Sequence, residues 1–464
     1  MNNHYIRLPI YLWILVLILV ASPHIYCQVT QTNKALVVDP QMRKQIVENI
    51  IRELQTKYVA PEKVKDIETA LQTKLQNGGY DKIETPSQFA NVLTQDLRTA
   101  GSDLHLFVAY DPTLEKALLA APPTPSVKLQ ELPPSAERLV EMRESNYDFH
   151  KLELLPGNVG YLELLSFVDL DYSKNTAVAA MSFLANADAV IIDLRKNPGG
   201  YINLHNFLAS YFFGAERVEL LSRYHRDGNV TVKEWTLPKL PGKRMPQTDL
   251  YILTSKNTGS AGERFAFIMQ QRNRAKVIGE TTSGAGYGNK EFPVSNGFVF
   301  YVSIFRQFDS RTGRSWQNVG VKPDIDIPAE KALGVAHLEA IKNLAVKATN
   351  ERKKQQLNWL APLLDFETNG AKQVSQSLLE KYTGNYTPRI TVTLEQGQLY
   401  FLGASGIKRH LYTLADDYFL MEDASVPPEN QARVRFIRNA EGVVTELQLM
   451  VADGRTFPRA REGK

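Results

Sequence analysis

The sequence is nearly without cysteine. Cys27 is the only one in 464 residues, so disulfides, thiol chemistry and cysteine-based metal sites have nothing to be built from. Long apolar runs are also scarce. The one conspicuous case is "LPIYLWILVLILVA", 14 uncharged residues after Arg7, which is short for a membrane span and suits the core of a signal peptide. Cleavage before Gln28 would put Ile25 and Cys27 at −3 and −1 and leave a chain with no cysteine. An uncleaved N-terminal anchor is the alternative. Charge of one sign is lacking too: 54 Lys and Arg stand against 50 Asp and Glu, a net +4. There is no dense basic block, so nucleic acid and anionic membranes are not indicated as partners. No metal or other cofactor is expected, and the oligomeric state is not readable.

What is present suits a soluble globular chain: 43% hydrophobic and 22% charged residues, long enough for two or three domains. Between 39 and 100, Ile46, Val47, Ile50, Ile51, Leu54 and Tyr58 recur at three- and four-residue spacing, and two further amphipathic stretches follow. This predicts a small helical bundle. "SDLHLFVAYDP" alternates like a strand, with Asp103, His105 and Phe107 on one face. "APPTPSVKLQELPP" reads as a linker. Beyond it, strand candidates ("NVGYLEL", "DAVIIDL", "DLYILTS", "KVIGE") alternate with helical stretches, which predicts a largely parallel sheet. From about 374 short alternating runs predict a separate antiparallel β domain. The expected division is a signal peptide over 1–27, a helical domain over 28–120 and a linker over 121–134. An α/β domain over 135–330, a helical connector over 331–372 and a β domain over 373–464 complete it.

Sites on parallel sheets lie at the carboxyl ends of strands. Two such ends are rich in small residues: "DAVIIDLRKNPGGY", with Gly199 and Gly200, and "DLYILTSKNTGSAGE", with Ser260 and Ala261. Glycines let backbone N–H groups face a cavity, and a serine at a strand-to-helix turn exposes its hydroxyl beside a free N–H. Together these suit a nucleophile with an oxyanion hole. Structural turns explain such segments as well, and "SAGE" doubles as a capping box from Ser260 to Glu263. A serine needs a base. Histidines stand at 105, 150, 205, 225, 337 and 410 beyond the N-terminal run, and the residues alone do not choose among them.

"AVIIDLRKNPGG", "LTSKNTGSAGERFA", "VIGETTSGAG" and "WQNVGVKPDIDIP", in that order, resemble the tail-specific (C-terminal-processing) serine peptidases. The likeness is to the branch with the interphotoreceptor retinoid-binding protein modules and the tricorn core, and it covers about residues 40–330. It implies an α/β, crotonase-like (ClpP-like) core behind an N-terminal helical bundle. It also implies a hydrolase acting on peptide or unfolded protein, which the signal-peptide reading makes exported, periplasmic or secreted. By that resemblance Ser260 is the nucleophile, His105 the general base, and Gly200 and Ala261 the oxyanion donors, with Gly199 shaping the turn. Two positions depart from the pattern. Ala285 stands where the Ser–Lys members carry lysine, and Lys290 is off register. Gln317 stands where the His-using branch commonly has Glu; it, or Asp103 instead, would orient His105. No PDZ-like insertion is visible. The alternative on the same scaffold is a weak or inactive binding protein for an apolar ligand or a peptide, and an acyl-CoA enzyme is a third class.

Overall fold

In the computed structural model, residues 36–121 and 133–463 are described, and Val38–Lys464 forms one compact unit. The expected signal peptide, and most of the expected linker, lie outside the described residues. Three helices come first: α1 (Pro40–Lys57), α2 (Val64–Gln76) and α3 (Pro86–Gly101). Asp39 and Thr85 cap α1 and α3 by accepting a backbone N–H three residues on, each followed by Pro at the first helical position. β1 (Phe107–Tyr110), α4 (Pro112–Ala120) and α5 (Ala136–Glu144) follow. β1 is shorter than the alternation predicted. Asp103 and His105 lie in the turn before it, not on a strand face, because Ser102 takes a left-handed φ of +47° and ends α3 in a tight reversal.

The central part runs β2 (Phe149–Leu155), β3 (Val159–Leu164), α6 (Leu170–Leu184), β4 (Ala189–Asp193), α7 (Ile202–Ser210), β5 (Glu219–His225) and β6 (Val230–Trp235). It continues through β7 (Asp249–Thr254), α8 (Ser260–Gln271), β8 (Lys276–Gly279), β9 (Tyr287–Ser295), β10 (Phe298–Phe308) and β11 (Ile325–Asp326). Two sheets result. One has the order β11-β8-β7-β4-β3-β2, parallel through every pairing except β3 with β2. Its inner strands are buried on both faces, which is why they read as unbroken apolar runs. The other, β1-β10-β5-β6 with β9 beside β10, is antiparallel.

The antiparallel sheet brings the N-terminal helices to the core. Ile46, Ile50, Leu54, Phe89 and Leu97 share one buried cluster with Phe298, Phe300, Val302 and Ile304 of β10. Val59 N–H donates to the Ser303 carbonyl at 2.8 Å, and the Arg226 guanidinium donates to the carbonyls of Tyr58 and Gln55. At the other end, α9 (Ala332–Lys347) and α10 (Glu351–Asn369) cover the parallel sheet. α11 (Gln376–Tyr382) then leads into eight antiparallel strands, from β12 (Gly384–Tyr386) to β19 (Thr456–Ala460), in sequential order. The fold is mixed α/β with a C-terminal antiparallel sheet.

Candidate active site

Ser260 stands where β7 passes into α8. The connecting loop is sewn to the neighbouring strand end: Thr258 Oγ1 donates to the Leu194 carbonyl at 2.7 Å, and Gly259 N–H to the Asn197 carbonyl at 2.9 Å. Asn197 is fully buried. Its Nδ2 donates to the Leu164 carbonyl at 2.9 Å, and its Oδ1 accepts Gly199 N–H at 2.9 Å. The two small-residue turns therefore form one rigid corner.

Both glycines are sterically required. A Cβ at Gly199 would lie 2.7 Å from Ser260 Cβ, and one at Gly200 would lie 2.3 Å from the Phe167 carbonyl oxygen. Both have strongly positive φ, +132° and +129°. Among the described residues no acceptor is bonded to the N–H of Gly200 or of Ala261. Both residues line the cleft that holds Ser260.

Ser260 itself has φ +45°, a conformation non-glycine residues adopt at a cost. Half of the expected capping box forms. Glu263 accepts the Ser260 N–H at 2.9 Å, but Ser260 Oγ does not cap α8. It lies 3.0 Å from His105 Nε2, a residue 155 positions earlier. His105 reaches it from the turn ahead of β1. That turn is held by His105 N–H donating to Asp103 Oδ1 at 3.0 Å, by Arg98 Nε donating to the Leu106 carbonyl at 3.1 Å, and by Asn289 Nδ2 donating to the His105 carbonyl at 3.0 Å. Burial pushes the His105 imidazole below its ordinary value, with the Asp103 charge pulling it up and Arg98 down. This favours the neutral ring, the form that can accept a proton. Its Nδ1 and Asp103 Oδ2 are both buried without a hydrogen-bond partner.

Gln317, expected as an orienter of His105, is engaged elsewhere. Its Oε1 accepts the N–H groups of Gly286 and Tyr287 at 2.6 and 2.9 Å, and its Nε2 donates to Asn318 Oδ1 at 2.8 Å. It braces the loop after β8 because its side-chain oxygen is drawn to two adjacent backbone donors. Ala285 is buried in the same loop, its carbonyl accepting Trp316 Nε1–H at 3.0 Å. Lys290 sits on β9 opposite Val302.

Two features escaped the sequence. Glu263 is fully buried and takes five donors: Ser260 N–H (2.9 Å), Thr282 Oγ1 (2.6 Å), Ser283 Oγ (3.1 Å), Gly284 N–H (2.6 Å) and Ala285 N–H (2.8 Å). Burial pushes its carboxyl upward, and the donors pull it back. The capping-box spacing pointed to Glu263, but only the fold supplies the other four donors. The second feature is an ion cluster of Arg223, Glu234 and Arg264 lining the Ser260 cleft, a cavity of about 680 Å³. Arg264 sits in an apolar stretch of α8, four residues after Ser260, and its partners come from β5 and β6, so no local pattern gave it away.

A serine hydroxyl in contact with a buried imidazole, with unbonded N–H groups beside it, is the arrangement a serine-peptidase domain would need. Residues 158–327 match the profile described as "Peptidase family S41". Residues 31–148 match the one described as the N-terminal domain of peptidase S41 in eukaryotic IRBP. The chain belongs to the S41 peptidase family. It is 27% identical over 170 residues to a carboxyl-terminal-processing protease of Synechocystis, covering 36% of this chain and 38% of that protein. It is 26% identical over 192 residues to carboxyl-terminal-processing peptidase 2, chloroplastic, of Arabidopsis thaliana, covering 38% and 34%. The chain thus spans about two fifths of the length of the curated relatives it matches first, 38% to 40%. Among solved structures, the photosystem II D1 C-terminal processing protease is similar at 16% identity and TM-score 0.39, covering 62% of this chain and 93% of that one. The tricorn protease is similar at 14% and 0.39, covering 62% and 34%.

Proposed function

We propose that this chain hydrolyses peptide bonds with Ser260 as nucleophile and His105 as general base. The observation that carries the reading is the 3.0 Å approach of His105 Nε2 to Ser260 Oγ. Ser260 Oγ attacks the substrate carbonyl carbon while His105 Nε2 takes its proton. The negative charge formed on the carbonyl oxygen is held by the N–H groups of Gly200 and Ala261 and favoured by the positive end of α8. The imidazolium returns the proton to the departing amine. A water activated by the same ring then releases the acyl group. Asp103, next to His105 in the turn, is the orienting carboxylate of this scheme in place of Gln317. The start of α8 with a left-handed serine suits this role, since it aims Oγ out of the helix.

The divisions given above, taken as segments of one compact unit and not as separate domains, a crotonase-like core and export through the N-terminal apolar run belong to the same reading. The strand order of the parallel sheet supports the core, and the sequence "LPIYLWILVLILVA" supports export. Among the described residues no helix is long and apolar enough to cross a membrane. The substrate is peptide or unfolded protein. A fluorophosphonate probe tests the chemistry: the protein is expected to label at pH 6 to 9 and Ser260→Ala not to label (about pH 7 is where a neutral imidazole is most useful). No labelling of the intact protein anywhere in that range would exclude Ser260 as an activated nucleophile.

A further inference from the structure

The cleft has a charged floor that the hydrolytic scheme does not use. Arg223, Gln307 and Glu234 lie on three adjacent strands of the antiparallel sheet. Arg223 stands opposite Gln307 of β10, and Glu234 is its diagonal neighbour on β6, opposite Leu221. Arg264 reaches the same point from α8. It is 1% exposed and both its Nη groups are engaged: Nη2 donates to Glu234 Oε2 at 2.5 Å, and Nη1 to Gln307 Oε1 at 2.9 Å. Arg223 faces Glu234 Oε1 through Nε in an ion pair. Among the described residues its two Nη groups donate to no protein acceptor, and they are not among the fully enclosed unpartnered atoms. Its side chain is 13% exposed and lines the cleft.

The charges do not cancel. Against the upward push of burial, the two guanidiniums hold Glu234 below the usual carboxylate range, so one anion faces two cations. The neighbouring imidazoles of His205 and His225 are pushed down by burial and add no charge at neutral pH. The acids of the rim are Asp169, bonded to Asp171 N–H and Asn203, and the exposed Asp171, both open to water and screened. A largely buried excess cation opening onto a cleft favours a counter-ion there, and a guanidinium with free Nη groups matches a carboxylate. The position is suited to substrate. Arg264 lies one helical turn from Ser260, roughly 6 Å along α8, and Arg223 lines the same cleft as Ser260.

We propose that Arg223 sets the specificity of this cleft by taking a substrate carboxylate next to the scissile bond, from an Asp or Glu side chain or from a free C-terminal α-carboxylate. The proposal rests on the Ser260 reading for its meaning, but its test does not need turnover. Four fluorescent peptides of one sequence, with Glu or Gln beside the central bond and with a free or amidated C-terminus, are titrated by anisotropy into the Ser260→Ala protein. The expected result is about ten- to hundredfold tighter binding of one carboxylate arm over its neutral counterpart, as for a charge-assisted hydrogen bond in a cleft. The arm that shows it identifies the source. Arg223→Gln should abolish the difference and Arg223→Lys should keep part of it. The remaining Arg264–Glu234 pair is expected to preserve the fold of both. Equal binding of acidic and neutral peptides, no binding of any of the four, or a preference that survives in Arg223→Gln overturns the proposal. If Arg223→Gln does not fold, the intact Arg223 panel still decides. Fluorophosphonate labelling reports Ser260 separately, so the two failures are distinguishable.

Discussion

At the scale of single residues, the proposed chemistry depends on His105 being held in its neutral form by burial. Because the His105 pKa lies below its ordinary 6.5, it would stay competent as a base to more acidic pH than a free imidazole would allow. The acid limb of kcat/KM is therefore expected below 6.5. Asp103 pulls that pKa upward, so Asp103→Asn should move the limb further down while lowering kcat by at least about tenfold. A limb at or above the ordinary value, or an upward shift in Asp103→Asn, would count against His105 as base and Asp103 as its orienter. The spacing of "SDLHLF" did not make this legible. It put both residues on a strand, whereas they occupy a turn created by left-handed Ser102, and the role of His105 came only from the family resemblance. Gln317 failed as an orienter for a similar reason: which donors surround a side-chain amide is set by loops that meet across the sequence.

Within elements, the β7–α8 corner is stiffened from behind. Glu263 ties Ser260 N–H to the 282–285 loop, so Glu263→Gln replaces an acceptor of five donors by a group whose amide opposes some of them. This variant should lose about 10- to 100-fold in kcat with KM little changed, and melt lower, as expected for a buried anion site left partly unsatisfied. Unchanged kcat in a folded Glu263→Gln protein would sink the positioning role. β5 offers a test of another kind. His225 is fully buried against Phe305, and burial holds its pKa at about 4. Unfolding frees it to bind a proton near 6.5, so the unfolded state gains as pH falls between 6.5 and about 4. His225→Phe should remove up to ~1.4 kcal/mol per pH unit of acid sensitivity in that window, read from urea melts at several pH values. Identical pH slopes in both proteins would show that His225 is protonated when folded or still enclosed when unfolded.

Over the whole molecule, the C-terminal sheet shares a core with the parallel sheet. Leu414, Tyr418 and Leu420 join Ile341 and Leu360 of α9 and α10, and through them Tyr161, Ile191 and Tyr251 of the parallel sheet, in one buried cluster. Removing residues 373–464 would expose that face. The shortened protein should aggregate or melt well below the full chain, since each buried large apolar side chain is worth roughly 1.5–3 kcal/mol. A monodisperse shortened protein with an unchanged Tm would show the sheet to be an independent module.

What the sequence determined by itself was the local grammar: helices from three- and four-residue spacing, buried parallel strands from unbroken apolar runs, and turns from Gly199–Gly200 and from the segment around Ser260. These depend on neighbours within a turn or a strand, so they are written in short stretches. The tertiary structure decided which groups face one another. The Ser260–His105 contact, the five donors on Glu263 and the Arg223–Glu234–Arg264 floor each join residues from separate elements. Their pairing is set by sheet order and helix docking, because hydrophobic burial that brings elements together is non-directional and leaves no mark in the sequence of which polar groups will meet.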